Sequence, residues 1–109
     1  MATVYKVLGQ SSPSATTETD LYTVPSATTS VVSSLVVSNR GATTASFRIS
    51  IAVAGASTSN KDYIYYDLII GGNDTFIATV GITLSATDVV RIYSSNSSLS
   101  FSIYGSEIS

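Results

Sequence analysis

Carboxylates are the side chains through which this sequence could perform acid–base chemistry, because it contains no histidine and no cysteine. That absence removes Ser–His and Cys–His nucleophiles and the common zinc ligand sets. The acidic residues are Glu18, Asp20, Asp62, Asp67, Asp74, Asp88 and Glu107. Asp62 and Asp67 are predicted to lie on one strand, facing opposite sides about 16 Å apart, so they cannot form an acid–base pair. We predict no catalytic residue and no enzymatic activity.

Ligand sites for ions and nucleic acids find equally little support in the sequence. The segment Gly72–Thr75 is too short and too poor in carboxylates to be a calcium loop. The basic residues Lys6, Arg40, Arg48, Lys61 and Arg91 are scattered, whereas phosphate binding needs clustered cations. We therefore predict no metal, no cofactor and no nucleic-acid partner. Arg48 and Arg91 lie in the middle of predicted strands, which favours cross-strand pairing with Asp or Glu.

Tyrosine is the residue type that most suggests a binding surface. Three of the seven tyrosines crowd one predicted strand, Tyr63–Ile70. Strict alternation places Tyr66 on the core face with Ile64, Leu68 and Ile70. It places four residues on the opposite face, namely Tyr63, Tyr65, Asp67 and Ile69. We predict that this second face is a protein interface or a ligand face, since tyrosine combines a large apolar area with one hydroxyl. It would serve either as a sugar-stacking platform or as a surface buried beneath a second sheet or a neighbouring subunit.

Period-2 alternation predicts the strands that position these residues. In the segment 46–53, Phe47, Ile49, Ile51 and Val53 share one face, as expected of a half-buried antiparallel strand. Leu99, Phe101 and Ile103 form a similar inward set in the last strand. Val31–Val37 is apolar on both faces and is predicted to be a central strand. Shorter strands are predicted at Val4–Leu8, Asp20–Val24, Thr75–Val80 and Val89–Tyr93.

About eight short strands separated by turn residues predict an all-β fold. We expect one domain spanning residues 1–109, a two-sheet antiparallel β-sandwich of either jelly-roll or immunoglobulin-like type. Hairpin turns are predicted at Asn39–Gly41, Gly71–Asp74 and Ser94–Ser97. Longer connections are predicted from Gly81 to Thr87 and from Gln10 to Thr19, and the latter is long enough to reach a neighbouring subunit.

A low charge content indicates surfaces that are covered by other proteins. Charged residues make up 11% of the 109 residues, against roughly 25% in a typical soluble domain. Serine and threonine, about a third of the chain, supply the polarity instead. Because charge keeps domains apart in solution, we expect stable self-association, with a trimer as one possible arrangement. No segment resembles a signal peptide or a membrane span, so we expect no membrane partner and synthesis in a cytosol.

Several segments resemble small virion structural proteins of tailed phages, especially phages of cyanobacteria and other aquatic bacteria. The similarity is carried by Tyr5–Ser11, Asp20–Pro25, Val36–Gly41, Asp62–Ile64, Gly81–Val89, Leu99–Phe101 and Gly105–Ile108, and it spans essentially the whole chain. It implies a structural subunit that is made in the bacterial cytoplasm and incorporated into a virion. Its partners would be the major capsid protein or tail and neck proteins. The resemblance leaves open a capsid decoration (cement) protein or a tail, neck or fibre module with a structural or glycan-adhesion role.

Overall fold

Eight β-strands and two short 3₁₀ turns make up the fold in a computed structural model that describes residues 2–109. The strands are β1 (Thr3–Ser11), β2 (Thr19–Thr23), β3 (Thr29–Asn39), β4 (Ala45–Ala52), β5 (Tyr63–Ile70), β6 (Thr75–Leu84), β7 (Val89–Ser94) and β8 (Leu99–Ile108). The 3₁₀ turns, Val53–Gly55 and Asn60–Asp62, both lie between β4 and β5. The prediction of an all-β chain with about eight strands is confirmed. In the described part of the chain, no helix is long and apolar enough to cross a membrane.

The strands form two antiparallel sheets of four strands each, which confirms the predicted two-sheet β-sandwich. Sheet I has the order β1-β8-β3-β6, and sheet II has the order β2-β7-β4-β5. Strands that follow one another in the chain alternate between the sheets, except that β4 and β5 are neighbours in sheet II. This is the strand order of an eight-stranded jelly roll, one of the two architectures that the sequence left open. As predicted, β3 is a central strand, because it lies between β8 and β6.

The connections differ from the predicted hairpins. The turns at Asn39–Gly41, Gly71–Asp74 and Ser94–Ser97 each carry the chain from one sheet to the other, so the hairpin interpretation was wrong. The predicted long connection from Gly81 to Thr87 was also wrong, because β6 continues to Leu84. Within residues 2–109, the single pair of consecutive strands joined within one sheet is β4–β5, whose connection contains both 3₁₀ turns.

Aromatic rings from both sheets meet around Phe47, which is completely buried. The Phe47 ring lies 5.9 Å from Phe101 of β8 and 5.6 Å from Phe76 of β6, measured between ring centroids. Burial of Ile49, Leu99, Phe101 and Ile103 confirms the inward faces predicted for β4 and β8. Val53 does not belong to this set: β4 ends at Ala52, and Val53 is 67% exposed.

A polar bridge joins the sheets at one end of the core. The Tyr22 hydroxyl on β2 donates a hydrogen bond of 2.5 Å to Glu107 on β8 and lies 2.6 Å from the hydroxyl of Ser30 on β3. The other Glu107 oxygen accepts from the Lys6 ammonium at 3.1 Å. Because Tyr22, Ser30 and Glu107 are buried or partly buried, each needs a hydrogen-bond partner to offset the loss of water.

The bridge should make the stability of the fold depend on pH at both extremes. Hydrogen bonds from Tyr22 and Lys6 lower the pKa of Glu107. The pKa of Tyr22 is raised to about 12, mainly because the hydroxyl is buried and also because it donates to Glu107. The Glu107 contribution is present above the unfolded carboxyl pKa and is lost as pH falls through the lowered value. The Tyr22 contribution is complete below pH 10 and is lost as pH rises towards 12.

We therefore expect Glu107→Gln to flatten the acid side of the stability profile and Tyr22→Phe to flatten the alkaline side. Urea unfolding of the wild type and both variants from pH 2 to 12 measures this. Profiles that run parallel to the wild type over the whole range would contradict the assigned role of the bridge.

Candidate functional site: the outer faces of the two sheets

A β-bulge in β5 changes which tyrosines reach the surface. Phe47 pairs with Leu68 and Ile49 pairs with Tyr65, so that Tyr66 and Asp67 together lie opposite the single residue Arg48. Asp67 adopts a left-handed backbone conformation with φ 54°, as an extra residue in a strand can require. The inward and outward positions exchange at this point in the strand.

The bulge makes the predicted grouping of the β5 residues wrong. Tyr65 points inward, with its ring centroid 6.2 Å from Phe47 and 5.4 Å from Phe76. Tyr66, predicted to be in the core, is 57% exposed. Asp67 and Ile69 do lie on the outer face of sheet II, and Tyr63 is half-buried at its edge beside Tyr66. Four residues predicted to share one face are therefore divided between the core and the surface.

Arg48 organises the outer face of sheet II. Its guanidinium lies 4.3 Å from the ring centroid of Tyr66 and 4.4 Å from that of Tyr93. It donates to both oxygens of Asp67, at 2.7 and 3.3 Å, and these hydrogen bonds raise the pKa of Arg48 further above its usual value. The predicted pairing of Arg48 with an acidic residue on the adjacent strand is confirmed. Because the guanidinium is held by Asp67, it can fix the orientation of the Tyr66 ring.

A second arginine anchors the β4–β5 connection to the same face. The Arg91 guanidinium donates to the carbonyl oxygens of Gly55 and Ala56 at 3.1 and 2.6 Å, and to the Thr58 hydroxyl at 3.0 Å. It also pairs with Asp20 at 3.0 Å, as predicted for a cross-strand partner. The three contacts with residues 55–58 hold the first half of the connection against β7.

Carboxylates anchor both ends of the same connection. Asp88 accepts from the Ala54 amide at 2.9 Å. Asp62 lies in the second 3₁₀ turn, where it accepts from the Ser59 amide at 2.9 Å and from Lys61 at 2.9 Å. The Ser59 amide is the main cause of the lowered pKa of Asp62. Both carboxylates hold turns, and Asp62 precedes β5 rather than lying within it as predicted.

Two surface concavities on this side of the molecule share Tyr63 in their lining. Together we call them the tyrosine groove. One, of about 360 Å³, is lined by Asn60, Tyr63 and Tyr66. The other, of about 480 Å³, is lined by Glu18, Gly55, Ser57, Thr58, Tyr63 and Arg91. The Tyr63 and Tyr66 rings meet nearly at right angles, with centroids 4.8 Å apart. The groove thus combines aromatic rings with hydroxyl, amide and carboxylate groups.

The outer face of sheet I has a different character, because it is built from uncharged side chains. Its apolar and aromatic members, which we call the sheet I face, are Tyr5, Val7, Val31, Val36, Ile77 and Tyr104. Hydroxyl side chains lie between them, namely Ser33, Ser34, Ser38, Thr75, Thr79, Thr83, Ser100, Ser102 and Ser106. Tyr5 is 83% exposed and Ile77 is 67% exposed. Tyr5, Val7, Val31 and Tyr104 line a shallow concavity of about 550 Å³, together with Lys6, Ser33, Gly105 and Ser106.

Two cations, Lys6 and Arg40, border the outward-pointing residues of the sheet I face. Arg40, in the β3–β4 connection, reaches its rim and donates to the hydroxyls of Ser12 and Ser100, each at 2.8 Å. The Lys6 ammonium is directed to Glu107, whose second oxygen binds Tyr22 of the opposite sheet. The sandwich therefore has one outer face whose outward-pointing side chains are uncharged, with Lys6 and Arg40 at its border, and one outer face that carries arginine–aspartate pairs.

Metal-ligating side chains do not cluster in the part of the chain that the structure describes. Among residues 2–109, no group of three His, Cys, Asp or Glu side chains lies close enough together to hold a metal ion. Comparisons with protein-family models, with curated proteins and with solved structures gave no match to this chain.

The alternation of the sequence contained part of the information needed to find these faces. In β7, buried Val90 and Ile92 alternate with Arg91 and Tyr93, and this pattern would have placed Tyr93 on the same side as the arginine. The sheet I face could not be assembled in this way. Its members come from four strands that are distant in sequence, and their neighbours depend on the order β1-β8-β3-β6.

Proposed function

We propose that this chain is a non-enzymatic structural subunit of a tailed-phage virion, and specifically a capsid decoration protein that stabilises the head through contacts between subunits. The observation that carries the proposal is the uncharged sheet I face, with Tyr5 and Ile77 among its exposed members. The resemblance of the sequence to small phage virion proteins suggests the particle on which this face is used.

The chemistry of the sheet I face suits burial against protein. Covering a charged side chain requires its removal from water at a cost of several kcal/mol unless it is paired. Hydroxyl groups are less costly to desolvate and can be satisfied by a single partner. Tyrosine, valine and isoleucine supply the apolar area that drives association. A face with this composition can therefore be covered with little electrostatic penalty.

Strand edges offer a second type of contact at the border of the same face. β1 and β6 are the outer strands of sheet I, so their outward backbone amides and carbonyls can pair with another strand. β6 is ten residues long and contains no charged residue. Homo-oligomers could form along these edges while the sheet I face spans the seam between capsid subunits. Jelly rolls also occur in viral capsid proteins, which supports the proposal by analogy of fold only.

Adding the purified chain to capsids from which it has been stripped tests the proposed function. We expect saturable binding and a rise in the temperature at which the heads release DNA. The rise should grow with the concentration of the chain, because a ligand that binds only the intact state stabilises it by mass action. Heads that neither bind the chain nor gain stability would refute a capsid role.

A tail, neck or fibre module that contacts host glycans is the second candidate, and the exposed tyrosine groove favours it. The number of copies per particle narrows the choice. Hundreds of copies point to the head or the tail tube, whereas a handful points to the neck or the tip. Quantitative gel analysis of purified virions, calibrated on the major capsid protein, measures this number.

A further inference from the structure

The tyrosine groove has ring surfaces and hydroxyls available for a ligand. Tyr66 is 57% exposed, and Tyr63 meets it at 80°, so the two rings form a corner. Among the described residues, neither tyrosine hydroxyl has a hydrogen-bond partner, and the same is true of the side chains of Asn60, Ser57 and Glu18. Donors and acceptors therefore surround an aromatic corner without being used by the fold.

The charges around the groove select against an anionic ligand. The Arg91 donors are occupied by Asp20, Thr58 and two backbone carbonyls. Arg48 is paired with Asp67, and Lys61 with Asp62. The charged side chain of the groove that remains without a partner is the Glu18 carboxylate, which repels anions. A phosphate, sulfate or carboxylate group would therefore find no free cation here.

The walls of the groove are held in place before any ligand arrives. Arg48 supports the Tyr66 ring, Arg91 anchors residues 55–58, and Asp62 fixes the turn that carries Asn60. A fixed site loses less conformational entropy on binding than a flexible loop does. This arrangement is otherwise unexplained, because the β4–β5 connection contributes nothing to the core.

We propose that the tyrosine groove binds a neutral saccharide. A sugar ring has an apolar C–H face and a rim of hydroxyl groups, so it matches an aromatic surface bordered by donors and acceptors. The C–H face would pack on Tyr63 or Tyr66, and the hydroxyls would bond to Asn60, Ser57 and Glu18. The groove lies on sheet II, so binding does not require the sheet I face to be free. The inference deepens the adhesion candidate and holds for the isolated chain, whether or not that chain decorates a capsid.

An oligosaccharide array that contains neutral, sialylated and sulfated members tests the inference, with each positive sugar measured again by calorimetry. We expect binding to neutral members. We expect Tyr66→Ala to weaken it by about tenfold or more, as the loss of an aromatic anchor does in other interfaces. Asn60→Ala should also weaken it, because a hydrogen bond from the amide is lost. Both positions are exposed. Tyr66→Phe, which retains the ring, should lose much less. Tyr5→Ala on the opposite sheet is the matched control and should bind as the wild type does.

Three outcomes would overturn the inference. The array could give no binding, binding could be restricted to anionic sugars, or neutral sugars could bind equally well to wild type, Tyr66→Ala and Asn60→Ala. Circular dichroism and urea unfolding of each variant establish that the fold is retained. Failure of this test leaves capsid binding by the sheet I face unaffected, so the two proposals can fail separately.

Discussion

Replacing Phe47 with alanine should remove a large part of the stability of the fold. The ring is fully buried, and aromatic rings of both sheets surround it. Truncation of a buried phenylalanine typically costs about 3–5 kcal/mol, because apolar contacts are lost and a cavity remains. Domains of this size are stable by about 5–15 kcal/mol, so we expect Phe47→Ala to lose between about a fifth of its free energy of unfolding and all of it. Urea unfolding at 25 °C measures the difference.

Two further variants test whether the loss of stability depends on the volume and the burial of the ring at position 47. Phe47→Leu keeps much of the apolar volume and should cost clearly less than Phe47→Ala. Tyr5→Ala removes an aromatic ring that is 83% exposed, and substitutions at such surface positions usually change stability by no more than about 0.5 kcal/mol. A loss below about 1 kcal/mol in Phe47→Ala would mean that the two sheets do not pack around this ring.

Sequence periodicity was enough to predict the strands, because the alternation of side chains is a local property of an extended backbone. The inward sets Phe47 and Ile49, and Leu99, Phe101 and Ile103, followed directly from it. The pairing of Arg48 and Arg91 with acidic residues also followed, since an unpaired arginine in the middle of a strand is unfavourable. All of these inferences depend on residues within one strand or on a general electrostatic rule.

Strand order and bulges could not be predicted, because both depend on contacts between distant parts of the chain. Turn residues such as Asn39 and Gly41 indicate where a strand ends, but they do not distinguish a hairpin from a connection between sheets. The extra residue at Tyr66–Asp67 exchanges inside and outside positions along β5. This single extra residue places Tyr65 in the core and Tyr66 on the surface, which is the opposite of what strict alternation predicted.

Placing a lysine at Ile77 should abolish attachment to capsids, whereas the same change at Ile69 should not. Both isoleucines lie on outer strands and are similarly exposed, at 67% and 72%. Ile77 belongs to the sheet I face, and Ile69 belongs to the outer face of sheet II. An ammonium buried against the capsid at Ile77 would lose its water without gaining a partner, which costs several kcal/mol. We expect Ile77→Lys to bind at least about a hundredfold more weakly, a loss of about 2.7 kcal/mol.

Both lysine variants must be folded for their binding to be compared. We expect them to fold, because substitutions at exposed positions usually change stability little. Matching unfolding curves for wild type, Ile69→Lys and Ile77→Lys would establish it. The two changes add the same charge, so a general electrostatic effect on binding would appear in both variants. A difference between them can be assigned to the face on which the lysine lies.

Cosedimentation of these three proteins with stripped capsids is the most direct measurement of whether the uncharged side of the sandwich is the side that attaches. We expect wild type and Ile69→Lys to saturate the heads at similar concentrations, while Ile77→Lys remains in the supernatant. Normal binding by Ile77→Lys together with loss of binding by Ile69→Lys would contradict it.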